Sequence, residues 1–232
     1  MWSEMVDEVT MESRIWPRAA VVGEKMWSPI ALTDDIDDMY RRLIVLDKRL
    51  ENLGMRHRSY SYIISNSMVD EAYHPHLRAL IDVLQEDIMF NRLAIYETAY
   101  YLTTPLNRVV DAAPAESLIA YQLGKTVDSW LEAENEKDWD LLIAHFELWA
   151  GNHQRLAPAF SGNWKLQEVE AHSIHLSALA KLGLDALTDP GSLKGHHADI
   201  EALLSSAKEG HGGTLLAVGE PVQKLVESAT KK

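Results

Sequence analysis

From residue 65 onwards, apolar residues recur at helical spacing in long segments that contain few glycines or prolines. Pro105, Gly162 and Pro190 interrupt this pattern and mark turns between segments. The pattern over 213–219 fits either a helix or a short strand. The spacing predicts helices over 77–102, 114–134, 139–156, 164–187, 196–208 and 221–230. A chain with this periodicity must bury its apolar stripes by packing helix on helix, so we expect a mainly α, bundle-like domain.

The first 64 residues show a different pattern. Pro17 suits the first turn of a helix, and that helix should end before Pro29. A second helix should open with the acidic residues that follow Thr33 and close at Gly54, a residue type typical of the position after a helix. Residues 56–64 are rich in β-branched and aromatic side chains, and we expect them to be extended.

Charge also divides the chain near residue 64. The net charge is −13 for all 232 residues; residues 1–64 contribute −2 and residues 65–232 contribute −11. We therefore expect two domains, 1–64 and 65–232, of which the second is acidic and helical. An acidic surface without a basic patch disfavours nucleic acid as a partner.

Several other classes are disfavoured by composition. There is no cysteine, so disulfides, thiolate nucleophiles and cysteine-rich zinc sites are excluded. No apolar run approaches the roughly 18–20 residues of a membrane span. The acidic residues near Met1 do not fit a signal peptide, and the compartment stays undetermined.

A motif near the start of the chain resembles the end of the catalytic barrel in family 20 glycoside hydrolases, the β-N-acetylhexosaminidases. The resemblance is carried by Trp2-x-Glu4-x-Val6-Asp7, Arg14-x-Trp16-Pro17-Arg18-Ala19 and Glu24-x-x-Trp27. A weaker similarity continues to Gly54. It implies that residues 1–64 are the last strand and helix of a (β/α)8 barrel, preceding the helical domain.

The resemblance implies roles for two residues in sugar binding. The tryptophan matching Trp2 lines the pocket around an N-acetyl sugar, and the glutamate matching Glu4 accepts hydrogen bonds from sugar hydroxyls. An indole face packs well on sugar C–H groups, and a carboxylate can accept bonds from two hydroxyls. The remaining motif residues are expected to be structural; they are Arg14, Trp16, Arg18, Glu24 and Trp27.

Catalysis in this family is substrate-assisted: the acetamido oxygen of the substrate attacks, an Asp orients it, and an adjacent Glu protonates the leaving oxygen. The resemblance implies that this Asp-Glu pair follows the fourth barrel strand, upstream of the matched segment. We therefore expect no catalytic residue within this chain and no glycoside hydrolysis by the chain alone. No cofactor is implied.

Histidines offer a weak metal hypothesis. His172 and His175 are three residues apart on a predicted helix, and Glu168 lies one turn earlier, so one face could present three ligands. No fourth ligand is visible, and an amphipathic helix with histidines in its polar stripe is the preferred interpretation. We expect no metal site.

Two hypotheses for function follow. In the first, the chain is the C-terminal part of a β-N-acetylhexosaminidase acting on N-acetylhexosaminide glycans, and its helical domain braces the barrel or mediates homodimer formation. In the second, the chain is an independent helical interaction module without a glycosidase role. The sequence does not identify the sugar or the linkage.

Overall fold

The computed structural model describes residues 6–8, 10–87 and 105–231. The fold is mainly helical, with a two-stranded antiparallel sheet in which β1 (Leu84–Glu86) pairs with β2 (Thr214–Leu216). The α-helices are α1 (Met11–Ile15), α2 (Arg18–Trp27), α3 (Ile36–Asn52), α4 (Ser59–Asn66), α5 (His74–Ile81), α6 (Val109–Ala112), α7 (Leu118–Ala133), α8 (Glu136–Ala150), α9 (Asn152–Phe160), α10 (Trp164–Gln167), α11 (Glu170–Thr188), α12 (His197–Ser206) and α13 (Gly219–Lys231). Within the described ranges, no helix is both long and apolar enough to cross a membrane.

The predicted limits of α3 are confirmed by its capping bonds. The Asp35 side chain accepts hydrogen bonds from the backbone N–H groups of Asp37 and Asp38, at 2.9 and 3.1 Å. At the other end, Gly54 adopts a φ of +91°, which a residue with a Cβ rarely adopts. The N–H groups of Gly54 and Met55 then bond to carbonyls of the last helical turn, which closes the helix as a Schellman motif.

The prediction of an extended segment over 56–64 is wrong, because α4 occupies Ser59–Asn66. Tyr60 and Ile64, four residues apart on this helix, are both buried in the main core. The intrinsic preference of tyrosine and isoleucine for strands is weaker than the gain from burying this face.

The helix predicted over 77–102 is also partly wrong. It ends at Ile81, and Leu84–Glu86 form β1; residues 88–102 lie outside the described part of the chain. The partner β2 resolves the ambiguity over 213–219 in favour of a strand. Glu86 is opposite Thr214, and Leu84 is opposite Leu216, so the ladder joins two segments far apart in sequence.

The centre of the molecule is the contact between α8 and α11. Each of two helices predicted here is divided into two. The one predicted over 139–156 is interrupted at Gly151, between α8 and α9, and the one predicted over 164–187 is interrupted at residues 168–169, between α10 and α11. The core at this contact contains large, fully buried side chains, among them Phe146, Trp149 and Leu179. Helix α13 packs on α11 and α7 and closes the other side. The mainly α fold class is thus confirmed.

Candidate functional site

Trp2 and Glu4, the predicted sugar-binding residues, lie outside the described residues, so their roles stay predictions. The chain soon after them is fixed by a turn between Asp7 and Thr10. The Asp7 carboxylate accepts hydrogen bonds from the Thr10 N–H at 2.7 Å and from its hydroxyl at 2.8 Å. Because Thr10 is fully buried, this turn anchors the start of α1.

Two arginines of the motif join the first segment to the helical part of the chain. The Arg14 side chain is only 9% exposed and lies 3.0 Å from the Glu86 carboxylate. Arg14 also donates a hydrogen bond to the Val110 carbonyl at 3.3 Å. The Arg18 guanidinium donates to the Ala115 carbonyl at 2.7 Å. Charge-assisted bonds of this kind fix orientation, which supports a structural role for both arginines.

A third motif residue, Glu24, joins α2 to α3. The Arg42 guanidinium donates two hydrogen bonds to its carboxylate, at 2.8 and 3.0 Å. These bonds and the charge of Arg42 lower the pKa of Glu24 below its ordinary value. The motif tryptophan Trp27 differs from this pattern, because its side chain is 89% exposed and packs against little of the described chain.

A cleft of about 400 Å³ lies between the first segment and the helical part. At its wall, His57 Nε2 lies 2.6 Å from Asp47 Oδ1, and both side chains are buried. Arg78 stacks its guanidinium 3.9 Å from the centre of the Tyr62 ring. These charged and aromatic groups in the wall of the cleft are therefore already paired with one another.

Further contacts between the first segment and the helical part lie at the rim of the cleft. Tyr40 stacks on Tyr121 with ring centres 3.8 Å apart, and its hydroxyl donates a short hydrogen bond to Glu116. Burial and Glu116 raise the pKa of Tyr40. Asp37 accepts bonds from Lys125 at 2.8 Å and from the Tyr121 hydroxyl at 2.6 Å, which lower the pKa of Asp37. These contacts connect residues 1–64 with the helical part, and the cleft is best described as an interface.

Glu168, His172 and His175, which the sequence offered as a weak metal hypothesis, do not form a group of metal ligands. Glu168 binds Arg108 at 2.7 Å, and the described ranges hold no group of three metal ligands in binding geometry. A residue that sequence reasoning missed joins His172 and His175 instead. It is His211, in the loop before β2, with its ring centre 4.9 Å from that of His172. No sequence signal links His211 to α11, because the two lie far apart along the chain.

Comparisons with known proteins agree with the motif. Residues 1–30 match the model of the glycosyl hydrolase family 20 catalytic domain. The chain is 42% identical over 55 residues to beta-hexosaminidase subunit beta of Mus musculus, which covers 24% of the chain and 10% of that protein. It is 39% identical over 56 residues to beta-hexosaminidase A of Caenorhabditis elegans, and this match covers 24% of the chain and 10% of that protein. These matches therefore span about a tenth of the length of the curated relatives.

The fold extends the similarity to nearly the whole chain. The X-ray structure of Flavobacterium johnsoniae chitobiase superposes with a TM-score of 0.85 at 24% identity. The superposition covers 97% of this chain and 34% of that one. The helical part and its placement on the first segment thus have a counterpart in a solved chitobiase.

The first segment is thus similar to part of the catalytic domain of family 20 glycoside hydrolases. The whole chain shares its fold with part of a solved chitobiase.

Proposed function

We propose that the chain is the C-terminal part of a β-N-acetylhexosaminidase, in which residues 1–64 complete the catalytic barrel and residues 65–232 brace it. The observation that carries this proposal is the family 20 segment at residues 1–30, held on the helical part by Arg14 and Arg18. Bonds from both arginines reach the helical part, so that part can fix the position of the barrel's last helix.

An exposed apolar surface on the first segment supports the same role. Six large apolar side chains between residues 22 and 36 are 59–89% exposed; they are Val22, Met26, Trp27, Ile30, Leu32 and Ile36. Single exposed apolar residues are common, whereas a concentration of them in one segment is typical of an interface. In a (β/α)8 barrel the helices bury an apolar stripe against the strands, and the remaining barrel would cover this surface.

The proposed substrate is a glycan with a terminal N-acetylhexosamine. Trp2 would pack on the sugar ring, and Glu4 would accept hydrogen bonds from its hydroxyls. The acid and the orienting Asp would come from the upstream part of the barrel, so the chain alone is expected to be inactive.

An assay with a chromogenic N-acetylglucosaminide tests the proposal. The chain alone should release no chromophore, whereas a protein extended upstream through the preceding reading frame should show turnover. An upstream reading frame without barrel strands or an Asp-Glu pair would contradict the proposal and favour the independent interaction module.

A pair of variants of the extended protein tests the role of Glu4. Glu4→Gln should lower kcat/KM about 100-fold, because charge-assisted hydrogen bonds contribute about 1.5–3 kcal/mol each. Glu8→Gln is the matched control, since Glu8 is exposed on the neighbouring turn, and it should leave kcat/KM unchanged. Equal activity of the two variants would contradict the role given to Glu4.

The two roles considered for the helical domain, bracing of the barrel and dimer formation, predict different molar masses for the extended protein in solution. We expect the extended protein to be monomeric by light scattering, with the apolar surface covered inside it. A stable dimer of the extended protein would favour the dimerisation role of the helical domain.

A further inference from the structure

Three histidines meet in the interior between α11 and the loop before β2. His172 is fully buried, His211 lies with its ring centre 4.9 Å away, and the ring centre of His175 lies 6.2 Å from that of His211. Three buried ring nitrogens have no hydrogen-bond partner in the described part of the chain; they are His172 Nδ1, His175 Nδ1 and His211 Nε2. Buried polar atoms without a partner are rare, and here three of them lie in one cluster.

His172 ties the β2 strand to the long helix. Its Nε2 lies 2.9 Å from the Thr214 carbonyl oxygen, which can only accept, so Nε2 carries the proton and Nδ1 is bare in the neutral ring. Thr214 is the first residue of β2 and pairs with Glu86 of β1. One imidazole hydrogen bond therefore connects α11 to the only described sheet of the molecule.

The surroundings offer little that would stabilise a charged ring. Glu209, the acidic residue that acts on His175, is exposed. Glu168 beside Gly212 is bonded to Arg108, and the Asp87 carboxylate lies beside Gly210. From α9, His153 adds another imidazole, bonded to Ser173. Burial lowers the pKa of His172 to about 4, although hydrogen bonding to the backbone of Thr214 and His211 acts in the opposite direction. Burial also lowers the pKa of His175.

We propose that His172, His175 and His211 form a histidine latch, which holds residues 211–216 on α11 at neutral pH and releases them in acid. A proton added to His172 Nδ1 would be buried and would lie close to two further imidazoles. Each charged ring therefore disfavours charge on its neighbours, while release of the loop lets water solvate all three.

The direction of the pH dependence follows from proton binding. In the latched state His172 and His175 bind protons less readily than in the released state, where they titrate near the ordinary pKa of about 6.5. The opening equilibrium constant should be low and constant above pH 7. As pH falls from about 6.5 towards 4 it should rise, by at most roughly tenfold per pH unit for each of these two histidines.

Hydrogen–deuterium exchange of the whole chain tests the latch. Between pH 7 and pH 5, after correction for intrinsic exchange and with EDTA present, opening of residues 211–218 should increase about 10- to 100-fold. Opening of α8, at the centre of the core, should change far less. Equal opening of residues 211–218 at the two pH values would overturn the proposal.

Variants separate the latch from general acid destabilisation. His172→Gln keeps a donor for the Thr214 carbonyl but cannot be protonated, so most of the pH dependence at residues 211–218 should disappear. His175→Gln, at a half-buried position, is the milder variant and should reduce the pH dependence even if His172→Gln folds poorly. His197→Gln, on the exposed face of α12, should behave as the unsubstituted chain. A pH dependence unchanged in the folded histidine-latch variants would contradict the proposal.

Discussion

Gly183 lies within α11, opposite the Phe146 ring of α8. A Cβ placed there would lie 2.7 Å from the ring of Phe146, a contact that side chains do not tolerate. Phe146 is fully buried, so its ring has no space into which it can move. The glycine thus sets the separation of the two central helices, although a glycine inside a helix is intrinsically unfavourable.

Gly183→Ala should lower the free energy of unfolding by about 1–2 kcal/mol, because overpacking outweighs the gain in helix propensity. Gly23→Ala in α2 is the matched control, since nothing lies within 4 Å of the position that its Cβ would take. It should raise the free energy of unfolding by about 0.5–1 kcal/mol. Urea denaturation measures both; a stabilising Gly183→Ala would contradict the close contact.

Some residues of the fold could be predicted individually, and others could not. Asp35 and Gly54 act within a few residues of their own positions, so the sequence pattern was sufficient to place both ends of α3. His211 and Gly183 depend on partners distant along the chain, and nothing local distinguishes them. The proposed site residues Trp2 and Glu4 came from family resemblance alone and stay predictions.

At the level of elements, helices were easier to predict than strands. The apolar pattern around Leu84 is compatible with helix and strand, and the choice depends on the partner strand at Thr214–Leu216. The opposite error occurred at α4, where strand-forming residues became helical because Tyr60 and Ile64 reach the core from one helical face. Both errors arise from tertiary contacts that outweigh local preference.

The β1–β2 pairing gives a prediction at this scale. The Ala217 N–H donates to the Val83 carbonyl at 2.9 Å, at the end of the ladder. Ala217→Pro removes this donor and should lower the free energy of unfolding by about 3 kcal/mol. Ala217→Gly keeps the donor and should cost at most about 1 kcal/mol. Guanidinium denaturation of both variants provides the comparison, and equal losses would mean that the bond contributes little.

For the whole molecule, periodicity predicted the helical class, but it could not reveal the proposed barrel segment, because one strand and helix leave no periodic signature of the complete barrel. Only the motif from Trp2 to Trp27 pointed to it. The fold match over 97% of the chain then extended the similarity of fold to the helical part, where no sequence motif had been visible. The packing of helices can thus be alike where few side chains are identical.

The proposed boundary between residues 64 and 65 lies inside α4, which runs from Ser59 to Asn66. This helix belongs energetically with the helical part: Tyr60 and Ile64 share its core, and the Ser61 hydroxyl donates to the Ala112 carbonyl at 2.5 Å. A chain of residues 56–232 keeps these contacts, whereas a chain of residues 67–232 loses them.

We therefore expect residues 56–232 to exceed residues 67–232 in free energy of unfolding by about 3–6 kcal/mol, since burial of each large side chain contributes about 1.5–3 kcal/mol. Urea unfolding followed by circular dichroism compares the two chains, with the full chain as reference. The full chain should differ less from residues 56–232, because α2 and α3 bury few large apolar side chains. Equal stability of the two shorter chains would place the boundary after α4 and assign that helix to the barrel segment.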